Sequence, residues 1–184
     1  VVERALEAQL LVDAPQPGSL RFTHSLVREA VYESMVLPRR QGRHRRVAEL
    51  LVARPNPDPD VIAHHFQRAQ DPRAALWLIQ AGERASRANA VQEAVVRFEQ
   101  ALQLLEGDDD ALMQRVRLLC NLAGVYRYTD PARALVDLDR ARDLADRLDD
   151  RTLSTIVRWN RARIRGFLAE DTRADIDEAI AAYH

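Results

Sequence analysis

Apolar residues recur every three or four positions along most of this chain, which is the period of an amphipathic helix. The pattern is clearest over residues 71–106, DPRAALWLIQAGERASRANAVQEAVVRFEQALQLLE. Ala74, Leu78, Ala81 and Ala85 form one stripe, with Ala75, Ile79 and Gly82 beside it, while Arg73, Gln80, Arg84 and Arg87 fall on the other side. After a break at Asn89-Ala90, Val91, Ala94, Val95, Phe98, Ala101, Leu102 and Leu105 repeat the rule, with Gln92, Glu93, Arg97, Glu99, Gln100 and Gln103 opposite. The spacing predicts two helices joined by a tight turn. Asp71-Pro72 is expected to start the first, because Asp caps free N–H groups and Pro at the first helical position loses no hydrogen bond. Gly107 and Asp108–110 end the second.

The same reading extends in both directions. Residues 1–10 carry Val2, Ala5, Leu6 and Leu10 on one face and predict a helix. Residues 10–12 and 20–23 are short extended segments around Ala14-Pro15-Gln16-Pro17-Gly18-Ser19, a β-hairpin pattern. A helix follows from His24, and another runs through Val47, Leu50 and Leu51. Residues 53–60, ARPNPDPD, hold three prolines and read as a linker. A short helix over 61–70 has Ile62, His65, Phe66 and Ala69 on one stripe. Beyond the central pair, one helix carries Leu112, Val116, Leu119, Ala123 and Tyr126, with Cys120 beside that stripe as a small core residue. Asp130-Pro131 repeats the Asp-Pro start, and Ala134, Leu138, Ala141, Ala145 and Leu148 follow it. Asp149-Asp150 breaks the run before Leu153, Ile156, Val157, Ile164, Phe167 and Leu168. Asp171-Thr172 opens a final helix with Ile176, Ala179, Ile180 and Tyr183.

Composition sharpens this picture only in places. The 184 residues hold 6 Gly and 8 Pro, and the net charge of −1 singles out neither nucleic acid nor a membrane. No apolar run reaches membrane-spanning length, no signal peptide is visible, and the single Cys excludes an internal disulfide framework. A cytoplasmic protein is expected. All 27 basic residues are Arg, so an Arg cluster carries less information than usual. The run LPRRQGRHRR at 37–46 lacks interleaved aromatics and reads as a solvated helix start rather than a DNA-binding patch. His64 and His65 are adjacent, so they point about 100° apart on a helix and lack the spacing of a metal pair. The chain opens inside a helix without Met and closes inside another, so a piece of a longer protein is expected.

Gly82, Ala94, Phe98 and Ala101 match the small, small, aromatic and small positions of a tetratricopeptide repeat, which the pair at 71–106 resembles. A side chain larger than Ala at the helix crossing would push the helices apart. Ala94, Ala134 and Ala174 recur at intervals of 40, as do Ala101, Ala141 and Ala181, whereas Gly82, Gly124 and Gly166 recur at 42. Phe98 and Leu138 keep the first interval and Glu178 breaks it. Both periods exceed the roughly 34 residues usual for the repeat. About three such pairs are expected.

A helix, a hairpin and a further helix make up the second half of a winged-helix domain. Within it, FTHSLVREAVY at 22–32 resembles the winged-helix segment of signal-transducing ATPases with numerous domains, the STAND class, including large ATP-binding regulators of the LuxR type. The bacterial pattern Phe-x-His-x-Leu-x-Arg-Glu-Ala-x-Tyr is met at Phe22, His24, Leu26, Arg28, Glu29, Ala30 and Tyr32. Of the related Met-His-Asp motif of plant resistance proteins, only His24 is retained, with Thr23 and Ser25 at the flanking positions. The resemblance implies that His24 reaches the phosphates of a bound ADP and holds a closed, inactive state. An imidazole at a helix start suits an anion. No Gly-x-x-x-x-Gly-Lys-Ser/Thr loop occurs and no Lys at all, so no cofactor is expected in this piece, ADP or ATP being held by its parent.

The expected architecture is therefore all-α: a right-handed, tetratricopeptide-like helical-repeat solenoid preceded by part of a winged helix with a small β-hairpin. Residues 1–53 would form the winged-helix part and connecting helix, 54–60 the linker and 61–184 the repeats. Stacked hairpins line a concave surface with the first helix of each pair. Asn121, Tyr128, Arg158, Asn160, Arg161 and Arg165 are the candidates there, with Trp159 as a flat apolar neighbour. Arg158, Arg161 and Arg165 lie at i, i+3, i+7, a stripe suited to a carboxylate or acidic peptide, or else a solvent-facing stripe in an Arg-biased chain. No catalytic set and no metal set stands out, so a non-catalytic sensor and coupling fragment of an ATP-dependent, transcriptional regulator is expected. Its partner would be a protein, a peptide, a small effector or a second copy, not a membrane and not DNA. The alternative is a stand-alone repeat adaptor assembling proteins. A repeat segment attached to a kinase or nucleotide cyclase is a third reading.

Overall fold

The computed structural model describes residues 2–15 and 18–168, together with Asp177, Ile180 and Ala181; of Phe167 only the backbone is described. The chain is mostly helical with one small antiparallel hairpin. A short α1 (Val2–Glu7) leads into β1 (Leu11–Asp13) and β2 (Leu20–Phe22), then α2 (Ser25–Ser34) and α3 (Leu37–Val52). Next come α4 (Pro59–Arg68), α5 (Ala74–Arg87), α6 (Val91–Leu104), a 3-10 turn at Asp109–Ala111, α7 (Leu112–Tyr126), α8 (Pro131–Leu148) and α9 (Arg151–Phe167). Of the final helix expected after Asp171, the three described residues are helical; Ala174 and Glu178 of the spacing series lie outside the described residues.

The hairpin pairs Leu11 with Phe22, Val12 with Arg21 and Asp13 with Leu20. Thr23 ties it off by donating its hydroxyl to the Gln9 carbonyl at 2.6 Å. Neither α1 nor α2 buries a residue, and Leu26 is 75% exposed. The apolar residues of this segment are arranged at helical spacing but have little to pack on among the described residues.

Burial begins at α3. Ala48, Ile62, Phe66 and Ala74 pack α3, α4 and α5 together. A second cluster joins α5, α6 and α7 through Leu78, Ala94, Val95, Phe98, Ala101, Leu118 and Leu122. A third joins α7, α8 and α9 through Val116, Leu119, Ala134, Leu138, Ala141, Ala145, Val157 and Ile164. Each helix shares its stripe with the next, so the core runs on along the stack.

The close approach expected at Gly82 is present. A Cβ placed there would lie 2.6 Å from both Cδ1 and Cε1 of Phe98, far inside van der Waals contact. At Gly124 a Cβ would meet nothing within 4 Å. The interval of 42 thus links a glycine that packing demands to one it does not, and the alanine interval of 40 follows the buried positions Ala94 and Ala134, Ala101 and Ala141.

The helix ends are set by short polar side chains. Asp130 accepts a hydrogen bond from the Arg133 N–H and Asp150 from the Leu153 N–H, each at 3.0 Å, as N-caps do. Asn56, Gln70, Asn89 and Asp149 take the left-handed conformation after α3, α4, α5 and α8, and Gly107 does so after α6. Asp71-Pro72 does not start a helix in the way Asp130-Pro131 does: α5 begins at Ala74 with Arg73 as N-cap. Asp71 instead turns to the Arg73 N–H at 3.0 Å and to the guanidinium groups of Arg73 and Arg45. The arginine on α3 competes for a carboxylate that the sequence offers to the helix start.

Candidate functional site

The alternate helices α5, α7 and α9 line one open groove of about 830 Å³. Leu76 and Ile79 of α5, Met113 of α7 and Ile156 of α9 supply its apolar surface. Leu76 is 55% exposed and Ile156 45%; both sit at helical positions that the core does not use. An exposed apolar strip framed by polar groups is what a binding surface leaves in the absence of its occupant. The helix spacing explains the arrangement. Val157 and Ile164 point into the third core cluster, so Ile156, Asn160 and Arg163, one helical face round, line the groove.

Asn121 and Asn160 both line it, from α7 and α9. Asn160 also donates to the Ile156 carbonyl at 3.0 Å, which leaves its amide oxygen as an acceptor. Arg87, Arg117, Arg127 and Arg163 lie around the groove against Glu83 and Asp150, so its rim is net positive. Cys120 faces it too. Burial pushes this thiol up to about 11, so it stays protonated at neutral pH and is a poor nucleophile.

The remaining candidates lie elsewhere. Arg161 reaches back to α8, with its guanidinium 3.3 Å from Asp139. Arg158 borders a shallow depression with Asp146, Asp149 and Asp150. Arg165, on the same stripe, is half-buried, and none of the three arginines lines the groove among the described residues. Tyr128 is 66% exposed, with the Arg127 guanidinium 4.5 Å over its ring. His24 is the exposed N-cap of α2; its side chain makes no capping hydrogen bond and its carbonyl accepts from the Arg28 N–H at 3.3 Å. Compared with protein-family models, with curated proteins and with solved structures, the chain matches none.

Arg163 was not separable by sequence from the other arginines of α9, since all recur at helical spacing in a chain rich in Arg. Its place in the groove depends on which face of α9 the third core cluster takes.

On the side formed by α6, α7 and α8, Asp137 is fully buried. Arg133 Nε and Arg140 Nη1 each lie 3.5 Å from its carboxylate. Burial pushes the Asp137 carboxyl up, against the pull of those two arginines. A carboxyl raised by folding stabilises the fold when protonated, and that stability is lost as pH rises through the folded value. Asp137→Asn is therefore expected to change stability by under about 1 kcal/mol at neutral pH, because both arginines remain half-exposed and hydrated. Its midpoint temperature should rise relative to wild type as pH goes from about 4 to 7. Parallel curves for the two proteins over that range would refute the assignment.

No helix among the described residues is long and apolar enough to cross a membrane.

Proposed function

We propose that this chain is the sensor and coupling part of a STAND-type, ATP-dependent regulator with a transcriptional output. In this reading α4–α9 are tetratricopeptide-like repeats stacked as a right-handed solenoid, and the hairpin with α2 is the end of a winged helix. Residues 1–53, 54–60 and 61–184 are then winged-helix part, linker and repeats. The chain does no catalysis itself; ADP or ATP belongs to the parent protein, and the setting is cytoplasmic.

The observation that carries the proposal is the groove lined by α5, α7 and α9. A surface built from alternate helices of a stack gathers side chains far apart in sequence onto one face, as repeat proteins do when they bind. Its exposed Leu76, Met113 and Ile156 and its four arginines against two carboxylates favour a protein segment or effector that combines apolar and acidic groups. His24 at the exposed start of α2 supports the nucleotide side, since its imidazole caps no N–H of that helix and a helix start suits a phosphate. For a switch, nucleotide and partner must prefer different states of the parent.

The test is ADP retention by the native-length protein, followed with a fluorescent nucleotide. His24→Ala is expected to release ADP at least about tenfold faster and to raise basal activity. Arg117→Glu on the groove rim is expected to weaken partner binding about tenfold while leaving ADP retention alone. Absence of ADP binding in both wild type and His24→Ala would overturn the nucleotide switch and favour the stand-alone adaptor.

A further inference from the structure

Tyr32, His44 and His65 come from α2, α3 and α4, and their side chains form one chain of hydrogen bonds across the three helices. Tyr32 Oη lies 3.0 Å from His44 Nε2. His44 Nδ1 lies 2.9 Å from His65 Nδ1. The two ring centres are 5.1 Å apart, which is that contact plus one ring radius at each end, so the nitrogens meet head-on. At this distance one nitrogen must carry a proton and the other a lone pair. Two arrangements satisfy the chain. Tyr32 donates to His44, which donates to His65; or His65 donates to His44, which donates to Tyr32. Both keep the two rings neutral. The head-on contact is that of a shared proton, and among the described residues no group of three His, Cys, Asp or Glu is placed to hold a metal ion.

The pair accepts one additional proton without losing the N–H···N bond. It cannot accept two, because N–H would then face N–H. The surroundings oppose even the first. His64 and Arg68 face His44 from α4, and the Arg40 guanidinium of α3 stands 5.3 Å over the Tyr32 ring. Burial and then the neighbouring histidines push His44 down, and burial and then His64 push His65 down. Among the described residues the charges that act on the two rings are histidines and Arg68, which push protons off rather than draw them in.

We infer that Tyr32, His44 and His65 form an acid-sensitive latch that holds α2 and α3 against α4 and lets go when both imidazoles are protonated. A base whose folded value is depressed contributes stability that is complete above its ordinary value, about 6.5 for His, and is lost as pH falls through the folded value. Beside it α3 has a second tie, to the turn between α4 and α5, from Arg45 to Asp71 at 2.9 Å and from Arg73 to Glu49 at 3.2 Å. Asp71 is held well below the carboxylate range by the Arg73 guanidinium, so it stays ionised while the histidines titrate. Acid therefore loosens the histidine contact while this neighbouring tie from α3 to the start of α5 stays ionised. The device depends on neither the nucleotide nor the groove.

The test uses the whole 184-residue chain and amide hydrogen exchange at about pH 7.5 and about pH 5.5, corrected for the intrinsic exchange rate. Protection in α3 and α4 is expected to fall about tenfold or more on acidification, with α6 unchanged. His65→Asn presents an amide near the position of the Nδ1 atom and does not titrate; with only His44 left to take up a proton, its protection is expected to fall less on acidification than that of the wild type. Equal protection in the wild type at both values, or the full wild-type pH sensitivity retained by His65→Asn, would overturn the latch. If that variant does not fold, ¹⁵N spectra of the wild type decide the matter. A scalar coupling between the two Nδ1 atoms, present at the higher pH and lost at the lower, supports it; no coupling at the higher pH overturns it.

Discussion

Phe98→Ala is expected to destabilise the chain by about 3–5 kcal/mol, the cost of emptying an aromatic site in a packed core. Phe98 is 2% exposed and stands in the cluster that joins α5, α6 and α7, so its loss removes contacts from two helix pairs at once. Gly82→Ala attacks the same contact from the other side. The added methyl would meet the Phe98 ring at 2.6 Å, and the helices must part or the ring must leave its rotamer, at about 1–3 kcal/mol. The two changes are coupled. In the Phe98→Ala background the methyl at position 82 enters the space the ring has vacated, so its penalty should vanish or reverse, as a double-mutant cycle by denaturant unfolding would measure. Gly124→Ala is the internal comparison. Its methyl meets nothing, and replacing Gly by Ala inside a helix should stabilise by up to about 1 kcal/mol. A Gly82→Ala protein as stable as Gly124→Ala would refute the crossing contact.

Asp71→Asn is expected to cost about 2–3 kcal/mol, the range for hydrogen bonds to a charged group. The carboxylate is 7% exposed and takes Arg45 Nε at 2.9 Å, Arg73 Nε and Nη2 at 2.8 Å and the Arg73 N–H at 3.0 Å. Each carboxylate oxygen takes two of these bonds, so an amide oxygen keeps two; the NH₂ in place of the other oxygen faces a guanidinium and repels it. The arginines are about half-exposed, so neither is stranded without water and the cost stays below that of an orphaned buried charge. The sign with pH follows from the depressed Asp71 carboxyl. Its contribution is complete above about 4, the ordinary carboxylate value, and disappears as pH falls through the folded value. Wild type and Asp71→Asn should thus differ most at neutral pH and converge in strong acid. A constant difference in midpoint temperature down to about pH 2 would mean that packing, not charge, sets the cost.

Asp71 also explains where local reading stops. The dipeptide Asp-Pro is the same at 71 and at 130, and the residue after it differs, Arg73 against Ala132. At Asp71 the carboxylate holds the Arg73 N–H and guanidinium, and the fold adds Arg45 from α3. At Asp130 the side chain caps the Arg133 N–H. The histidine chain is a second case. His65 and its neighbour His64 give no metal spacing along one helix, and the sequence holds no sign that His44 meets them.

For this protein, sequence alone determined the order of the helices, the hairpin between residues 11 and 22, and most of the buried stripes from Ile62 to Ile164, whereas Val47, Leu50, Val91 and Ile156, read onto such stripes, are exposed and Ala48 is the buried residue of α3. These follow from periodicity and from turn residues, which act over distances of a few positions along the chain. It also determined the Gly82–Phe98 contact, because a helical pair brings positions of known spacing together whatever surrounds it. Only the tertiary structure decided which outward faces meet. Ile156, Asn160 and Arg163 line the groove while Arg161 pairs with Asp139, because the rotation of α9 about its axis is set by where Val157 and Ile164 are buried. That rotation is a property of three packed helices, and no short-range pattern in any one of them encodes it.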